Sequence, residues 1–154
     1  MSAIAPRGGS RRRPSRRQHP GRIARRLALM ALFEEEFRPR QAGEALARLA
    51  GERGLARTVV EHARRIVLGV VEHRVELDAR IAELAPAIPV SELGNVERTI
   101  LRSALFEMLY SAATPSGETI DDAVSLARIY AGDAARRLVN GVLGSVARSL
   151  GGGG

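Results

Sequence analysis

The chain has 154 residues and a net charge of +7, enough length for one domain with a sizeable core and too little for two ordinary ones. Aromatic residues make up 3% and Trp is absent, so Leu, Val, Ile and Ala must build the core, which favours helix packing over a β-sandwich. The lack of cysteine excludes disulfides, thiolate metal sites and a cysteine nucleophile, and it fits a reducing cytoplasm. No apolar run approaches the roughly 20 residues of a membrane span, and a signal-peptide pattern is missing.

The positive charge is concentrated at the N-terminal end. Residues 1–26 contain nine arginines and no acidic residue, whereas the rest of the chain carries fifteen arginines against seventeen acidic residues. Proline and glycine recur through residues 1–21, and almost nothing there could be buried, which predicts a disordered Arg-rich arm. The glycines 151–154 predict a flexible tail. All 24 basic residues are arginine, whose planar guanidinium suits bidentate phosphate contacts and stacking on bases.

Between these ends, apolar residues recur at steps of three and four, which predicts amphipathic helices. Six helices are predicted: from about Ile23 to Phe37, 41–50, 55–84, 95–111, 118–131 and 133–150. The first apolar stripe includes Phe37, and Pro39 ends that helix. Gly69 inside the third helix indicates either a closely approaching neighbour or a locally weak helix. The expected fold is therefore all-α, a compact bundle of six or seven helices over 22–150, which connector 86–94 divides into two three-helix halves.

The sequence shows no catalytic constellation, and we expect neither an enzyme nor a cofactor or metal. His62 and His73 stand about 16 Å apart along one helix, too far to share a metal, and we expect both to be solvated. Glu118, Asp121 and Asp122 are interpreted as first-turn carboxylates that interact with a helix dipole. The acidic run 34–36 is either solvated, orients the arm, or faces a basic partner.

Four segments resemble the transcription antitermination factor NusB family, in order and with plausible spacing over about 22–150. The segments are Arg22–Phe33, Leu93–Leu109 (with Leu-Gly-Asn-Val-Glu-Arg at its start), Thr119–Ala127, and Val139-Asn140-Gly141-Val142-Leu143. The resemblance implies an all-α fold in two three-helix halves. It also implies binding of the boxA RNA of ribosomal RNA leader transcripts, together with a small-subunit ribosomal protein acting as NusE, in an RNA polymerase antitermination complex.

Individual residues inherit expected roles from this resemblance. It implies RNA contact for the following residues: Arg22, Arg25, Arg26, Phe33, Arg136, Arg137 and Leu138. Glu97 is expected at the protein partner, or else serves as a first-turn helix carboxylate. Phe33 lies at the RNA or partner surface, or in the core. Leu138 replaces a frequent Phe and cannot stack on a base. Asn140 and Gly141 are interpreted as packing residues, with binding as the alternative.

Three rival functions remain open. A NusB-like domain also forms the N-terminal part of an rRNA cytosine methyltransferase family, but no methyl-donor domain follows in this sequence, so a freestanding factor is favoured. A buried pocket lined by Arg and Glu would support an all-helical enzyme instead. A general nucleic-acid-coating protein would bind scrambled RNA equally well. The preferred interpretation is a cytoplasmic RNA-binding antitermination factor whose arm and first helix neutralise phosphates.

Overall fold

The computed structural model describes residues 19–111 and 116–151, which form seven α-helices and one short 3-10 turn at Val90–Glu92. The helices are α1 (Pro20–Phe37), α2 (Ala42–Arg53), α3 (Arg57–Glu72), α4 (Arg74–Leu84), α5 (Asn95–Tyr110), α6 (Ser116–Ala131) and α7 (Asp133–Gly151). The predicted all-α fold class is confirmed. Within the described ranges, no helix combines the length and apolar character needed to cross a membrane.

The helices pack as two groups around one continuous core. Helices α1, α2 and α3 contact one another, as do α5, α6 and α7, and α1 packs on α5 to join the groups. Helix α4 packs mainly on α5. The core side chains with almost no exposure come from both groups: Leu27, Leu29, Ile66, Leu77, Ile81, Leu101, Leu105, Val139, Leu143 and Val146. The core is aliphatic, as the composition predicted.

Several predicted boundaries differ from the structure. Helix α1 begins at Pro20, inside the predicted arm, because proline is well suited to the first helical turn. The rest of the arm, residues 1–18, lies outside the described residues. Phe37 was expected on the apolar stripe, but it is the last residue of α1 and is 77% exposed beside an open groove toward α2. Helix α6 begins at Ser116, two residues before the predicted start at 118.

The prediction of one long helix over 55–84 is wrong, because the chain bends at His73 between α3 and α4. His73 has φ −101° and ψ 16°, outside the helical range. Its amide still donates to the Gly69 carbonyl, and its own carbonyl accepts from the Leu77 amide, both at 2.9 Å. The hydrogen-bond ladder and the apolar period therefore continue through the bend, which is why the pattern did not reveal it.

Gly69 marks a close approach between α3 and α5. A Cβ placed on Gly69 would lie 2.1 to 2.5 Å from ring atoms of Phe106, so any other residue there would require that ring to move. The first of the two interpretations of Gly69 is therefore correct. Gly141 differs, because it is exposed and nothing lies within 4 Å of a Cβ placed there. The interpretation of Gly141 as a close-packing residue is wrong.

Candidate nucleic-acid interface

Two arginines at the start of α1 reach across to α6. The half-buried Arg22 donates through Nη2 to the Oγ of Ser125. Arg26, one turn further along, is exposed and donates through Nε to the hydroxyl of Tyr130 at 2.9 Å. Residues four apart lie on one side of a helix, so these two side chains form a single basic edge facing α6.

A second group of arginines surrounds the junction of α6 and α7. Arg136 donates through Nε to an Asp133 oxygen at 2.8 Å, and Arg137 lies 3.3 Å from the other oxygen. The hydrogen bond from Arg136 is the main cause that lowers the pKa of Asp133, and the charges of Arg137 and Arg128 add to it. Three arginines therefore share one exposed carboxylate, and positive charge remains in excess at the junction.

The two groups form one surface, because Tyr130 links them. Its hydroxyl is bonded to Arg26, and it stands three residues before Asp133, whose carboxylate pairs with Arg136 and Arg137. This surface is called the basic surface below, and it consists of Arg22, Arg26, Arg128, Arg136 and Arg137 around Tyr130. Sequence reasoning found four of these arginines but missed Arg128 and Tyr130. The signal available in the sequence was that both residues lie just before Gly132, where α6 ends.

Arg25 lies inside the protein, although the next residue, Arg26, is exposed. The residue is 6% exposed, and its Nε and Nη2 donate to the two carboxylate oxygens of Glu107 at 2.9 and 3.1 Å. Its Nη1 donates to Asp122 at 2.6 Å, and His62 Nε2 lies 3.1 Å from Glu107. Arg25 thus joins α1 to α5 and α6, and it is not part of the basic surface.

Two members of the cluster, Arg25 and Glu107, have pKa values shifted toward their charged forms despite burial. Burial by itself lowers the pKa of Arg25, but the hydrogen bonds and charges of Glu107 and Asp122 outweigh it and raise the pKa. Burial likewise opposes ionisation of Glu107, yet the hydrogen bonds from His62 and Arg25 lower its pKa below the ordinary value. Opposite charges at hydrogen-bond distance favour the charged form of each partner. The cluster is a largely buried network that connects four helices, α1, α3, α5 and α6.

This network corrects two expectations drawn from the sequence. Asp122 was interpreted as a first-turn carboxylate that interacts with the helix dipole, but α6 begins at Ser116, and Asp122 is buried in its second turn, where it pairs with Arg25. His62 was expected to be solvated, but its side chain is 20% exposed and contacts Glu107. His73 is also mostly covered, because its ring stacks on Tyr110 at a centroid distance of 4.2 Å. Within residues 19–111 and 116–151, no group of three or more His, Asp or Glu side chains could hold a metal ion.

The two apolar residues predicted at the interface lie partly in the core. Phe33 and Leu138 are both half-buried and pack against the core cluster. Phe33 lies on the same side of α1 as Arg26, about 10 Å further along the axis at 1.5 Å per residue. Each residue therefore has a packing role and leaves only part of its side chain accessible.

Glu97 lies at the end of the molecule opposite the basic edge of α1. It is half-buried in the first turn of α5, and its carboxylate folds over Gly94, where a Cβ would be 2.1 Å from Oε2. This position fits a carboxylate near a helix N-terminus and also leaves the side chain partly accessible. The structure thus brings the four arginines together and places Glu97 elsewhere.

An ion network that the sequence did not predict lies near Glu97. Glu36, near the end of α1, accepts from Arg102 at 3.2 Å and from Arg98 at 3.4 Å, both on α5. Arg74 of α4 approaches Glu36 within 3.5 Å, and Arg102 also donates to both oxygens of Asp78 at 2.6 and 2.8 Å. The end of α1 is therefore fixed to the start of α5. Glu36, one residue of the acidic run 34–36, is therefore the centre of a group of ion pairs within the protein.

The fold places the chain among small all-α proteins built from two three-helix groups, and comparison with known proteins specifies the group. Residues 22–148 match the NusB family. The transcription antitermination protein NusB of Dehalococcoides mccartyi is 36% identical over 129 residues, covering 84% of this chain and 90% of that protein. The NusB of Roseiflexus sp. is 41% identical over 127 residues, covering 81% and 89%. The chain belongs to the NusB family.

A solved structure agrees with this assignment. The crystal structure of antitermination factors NusB and NusE in complex with dsRNA contains a chain with a TM-score of 0.77 and 27% identity, covering 86% of this chain and 98% of that one. The resemblance read from the sequence motifs is therefore confirmed, and so is the predicted helical architecture.

Proposed function

We propose that this protein is a transcription antitermination factor that binds boxA RNA of ribosomal RNA leader transcripts together with a small-subunit ribosomal protein acting as NusE. In this role it acts in the cytoplasm, within an RNA polymerase antitermination complex, and it binds without catalysing a reaction or using a cofactor. Its relatives are named as antitermination proteins, and one similar fold was solved with NusE and double-stranded RNA.

The observation that carries the proposal is the basic surface. Five arginines lie where α1, α6 and α7 meet, and one of them, Arg26, donates to the exposed Tyr130. The Arg-rich residues 1–18 directly precede α1 in the sequence. The chain after residue 26 carries two more acidic than basic residues, so the net positive charge of the chain comes from its N-terminal residues. Such contacts release counterions from RNA and give an affinity that falls steeply with salt.

In the proposed mechanism, the affinity for RNA and the selectivity for its sequence come from different parts of the complex. The arm and the basic surface bind phosphates, which positions the RNA without reading its sequence. The ribosomal protein docks on the helical body near Glu97, and the two proteins together present a surface that reads single-stranded bases. The protein alone should therefore bind RNA with little selectivity.

A titration series tests this function. Fluorescently labelled boxA-like RNA and a scrambled strand of equal composition are each titrated with the protein, with and without the ribosomal protein. The proposal predicts that boxA is preferred at least several-fold when the ribosomal protein is present. Equal affinity for both strands with the partner would contradict it and favour a general RNA-coating protein.

Truncation tests the part assigned to the arm. The structure shows α1 beginning at Pro20, so a variant lacking residues 1–18 removes six arginines and keeps the first helix intact. We expect weaker RNA binding and a shallower dependence of log K on log salt, by about 0.7 for each phosphate of a single strand that the arm no longer neutralises. Unchanged affinity and slope would refute the arm's role, and an unchanged melting temperature would show that the fold is retained.

A further inference from the structure

We propose that Tyr130 is the residue on which an RNA base stacks when a single strand crosses the basic surface. The inference rests on the function proposed above and assigns a specific task to a residue that carries no charge. Its basis is that Tyr130 lies among the arginines, keeps part of its ring exposed, and is fixed in orientation by one of them.

The geometry prepares the ring for stacking. Tyr130 is 39% exposed in the last turn of α6, and its hydroxyl accepts the hydrogen bond from Arg26 at 2.9 Å. This bond anchors the tip of the side chain to α1, so the ring cannot turn freely into solvent. A preorganised aromatic ring loses little conformational entropy when a ligand binds it.

The other aromatic residues are unsuited to this task by position. Phe33 packs partly in the core, and Phe37 lies at the far end of α1 in a groove lined by glutamates and arginines. Phe106 and Tyr110 belong to a cluster of near-parallel rings with His73, with the Tyr110 ring 4.2 Å from the His73 ring. Among the five Phe and Tyr residues of the chain, Tyr130 is therefore the one that lies on the basic surface.

The proposed contact combines stacking with charge. A base lies on the accessible face of the Tyr130 ring, while the guanidinium group of Arg26, which donates to the ring's hydroxyl, neutralises a flanking phosphate. Stacking on an aromatic ring is tolerant of sequence because every base has a π-face, and it requires a base that is not already paired. Tyr130 should thus favour single-stranded over double-stranded RNA and contribute little to the choice between bases.

Two substitutions separate stacking from the anchoring role of the hydroxyl. Tyr130→Leu removes the ring, and we expect about tenfold weaker binding of a twelve-nucleotide single strand with an unchanged salt slope. Tyr130→Phe keeps the ring and removes the hydrogen bond to Arg26, and we expect affinity within about twofold to threefold of the wild type. Equally weakened binding in both variants would contradict stacking and show that Tyr130 acts only by holding Arg26.

Arg26→Gln is the matched control for charge. It removes one cation beside the same ring, so it should lower the salt slope by about 0.7, a change that Tyr130→Leu should not produce. A salt slope lowered equally by both variants would overturn the assignment of a stacking role to the ring. Tyr130 is partly exposed at a helix end, so all three variants should keep the helical circular dichroism of the wild type.

Fluorescence provides a direct readout, because the chain has two tyrosines and no Trp. In a Tyr110→Phe protein, Tyr130 is the only tyrosine, and stacking should quench its emission on addition of the single strand. The same strand with abasic sites throughout should bind through its phosphates without quenching. Binding of the normal strand without quenching would overturn the inference and leave the proposed function intact. If the unsubstituted protein bound no RNA at all, with or without the ribosomal protein, both proposals would fail.

Discussion

Arg25 and Arg26 are adjacent in sequence but have opposite environments. Arg25 is 6% exposed and paired with two carboxylates, whereas Arg26 is exposed and donates to the hydroxyl of Tyr130. A helix turns by about 100° per residue, so neighbouring positions face different directions. The sequence pattern of arginines alone could not distinguish them, because the carboxylates of Glu107 and Asp122 come from helices that are distant in the chain.

This contrast predicts different effects of substitution on stability. Arg25→Ala should lower the free energy of unfolding by about 3 to 5 kcal/mol, because it leaves buried carboxylates without their cation. Arg26→Ala is the matched control, and it should change the free energy by no more than about 0.5 kcal/mol at this exposed position. Urea denaturation followed by circular dichroism measures both. Equal stability of the two variants would show that the network does not stabilise the fold.

The lowered pKa of Glu107 predicts how stability depends on pH. Because the folded pKa lies below the ordinary value of 4.5, the stabilisation is complete above pH 4.5 and is lost as the pH falls through the lower folded value. Unfolding free energies measured between pH 6 and 3 should decrease toward the acid end. Glu107→Gln should be less stable at pH 6 and show a flatter decrease, while a decrease as steep as that of the wild type would contradict this assignment.

At the scale of helices, the apolar period predicted where most helices lie but not where they bend. The stripes correctly indicated α1, α2, α5 and α7, because each buries one face against neighbours. The bend at His73 escaped prediction because its hydrogen bonds continue and no proline or glycine stands at that position. The burial of Asp122 and His62 also escaped, since partners on other helices determine it.

The contact between α3 and α5 predicts that glycine is required at position 69. Gly69→Ala should destabilise the protein by about 1 to 3 kcal/mol, because the new methyl group would displace the Phe106 ring. Alanine is the better helix former by about 1 kcal/mol, so helix propensity alone predicts the opposite sign. Thermal or urea unfolding decides between these two effects.

Gly141→Ala in the middle of α7 is the matched control, since nothing lies within 4 Å of a Cβ there. This variant should be stabilised by about 0.5 to 1 kcal/mol. A second substitution, Phe106→Leu, should restore part of the stability of Gly69→Ala, because it removes the ring that the methyl group meets. Stabilisation by Gly69→Ala on its own would show that the two helices do not approach closely.

At the scale of the whole molecule, the basic surface and the expected partner residue Glu97 lie at opposite ends. The basic surface lies where the start of α1 meets α6 and α7, whereas Glu97 lies where the end of α1 meets the start of α5. The 18 residues of α1 separate these ends by about 25 Å along its axis. The charge census predicted the basic end, but the grouping of arginines from three helices required the tertiary fold.

This separation predicts that RNA binding and partner binding can be weakened independently. Glu97→Gln should leave the affinity of the protein alone for boxA-like RNA unchanged within about twofold, because Glu97 is more than a Debye length from the basic surface. The same variant should bind the ribosomal protein less tightly, by about threefold or more, because an acidic group facing a basic partner is removed. Arg137→Gln should show the reverse behaviour, with weaker RNA binding and unchanged binding of the ribosomal protein.

Calorimetry with the ribosomal protein and RNA titrations at fixed salt measure the two affinities. If Glu97→Gln weakened binding of RNA by the protein alone as much as Arg137→Gln did, the two functions would share one surface and the proposed division between the ends of α1 would be wrong.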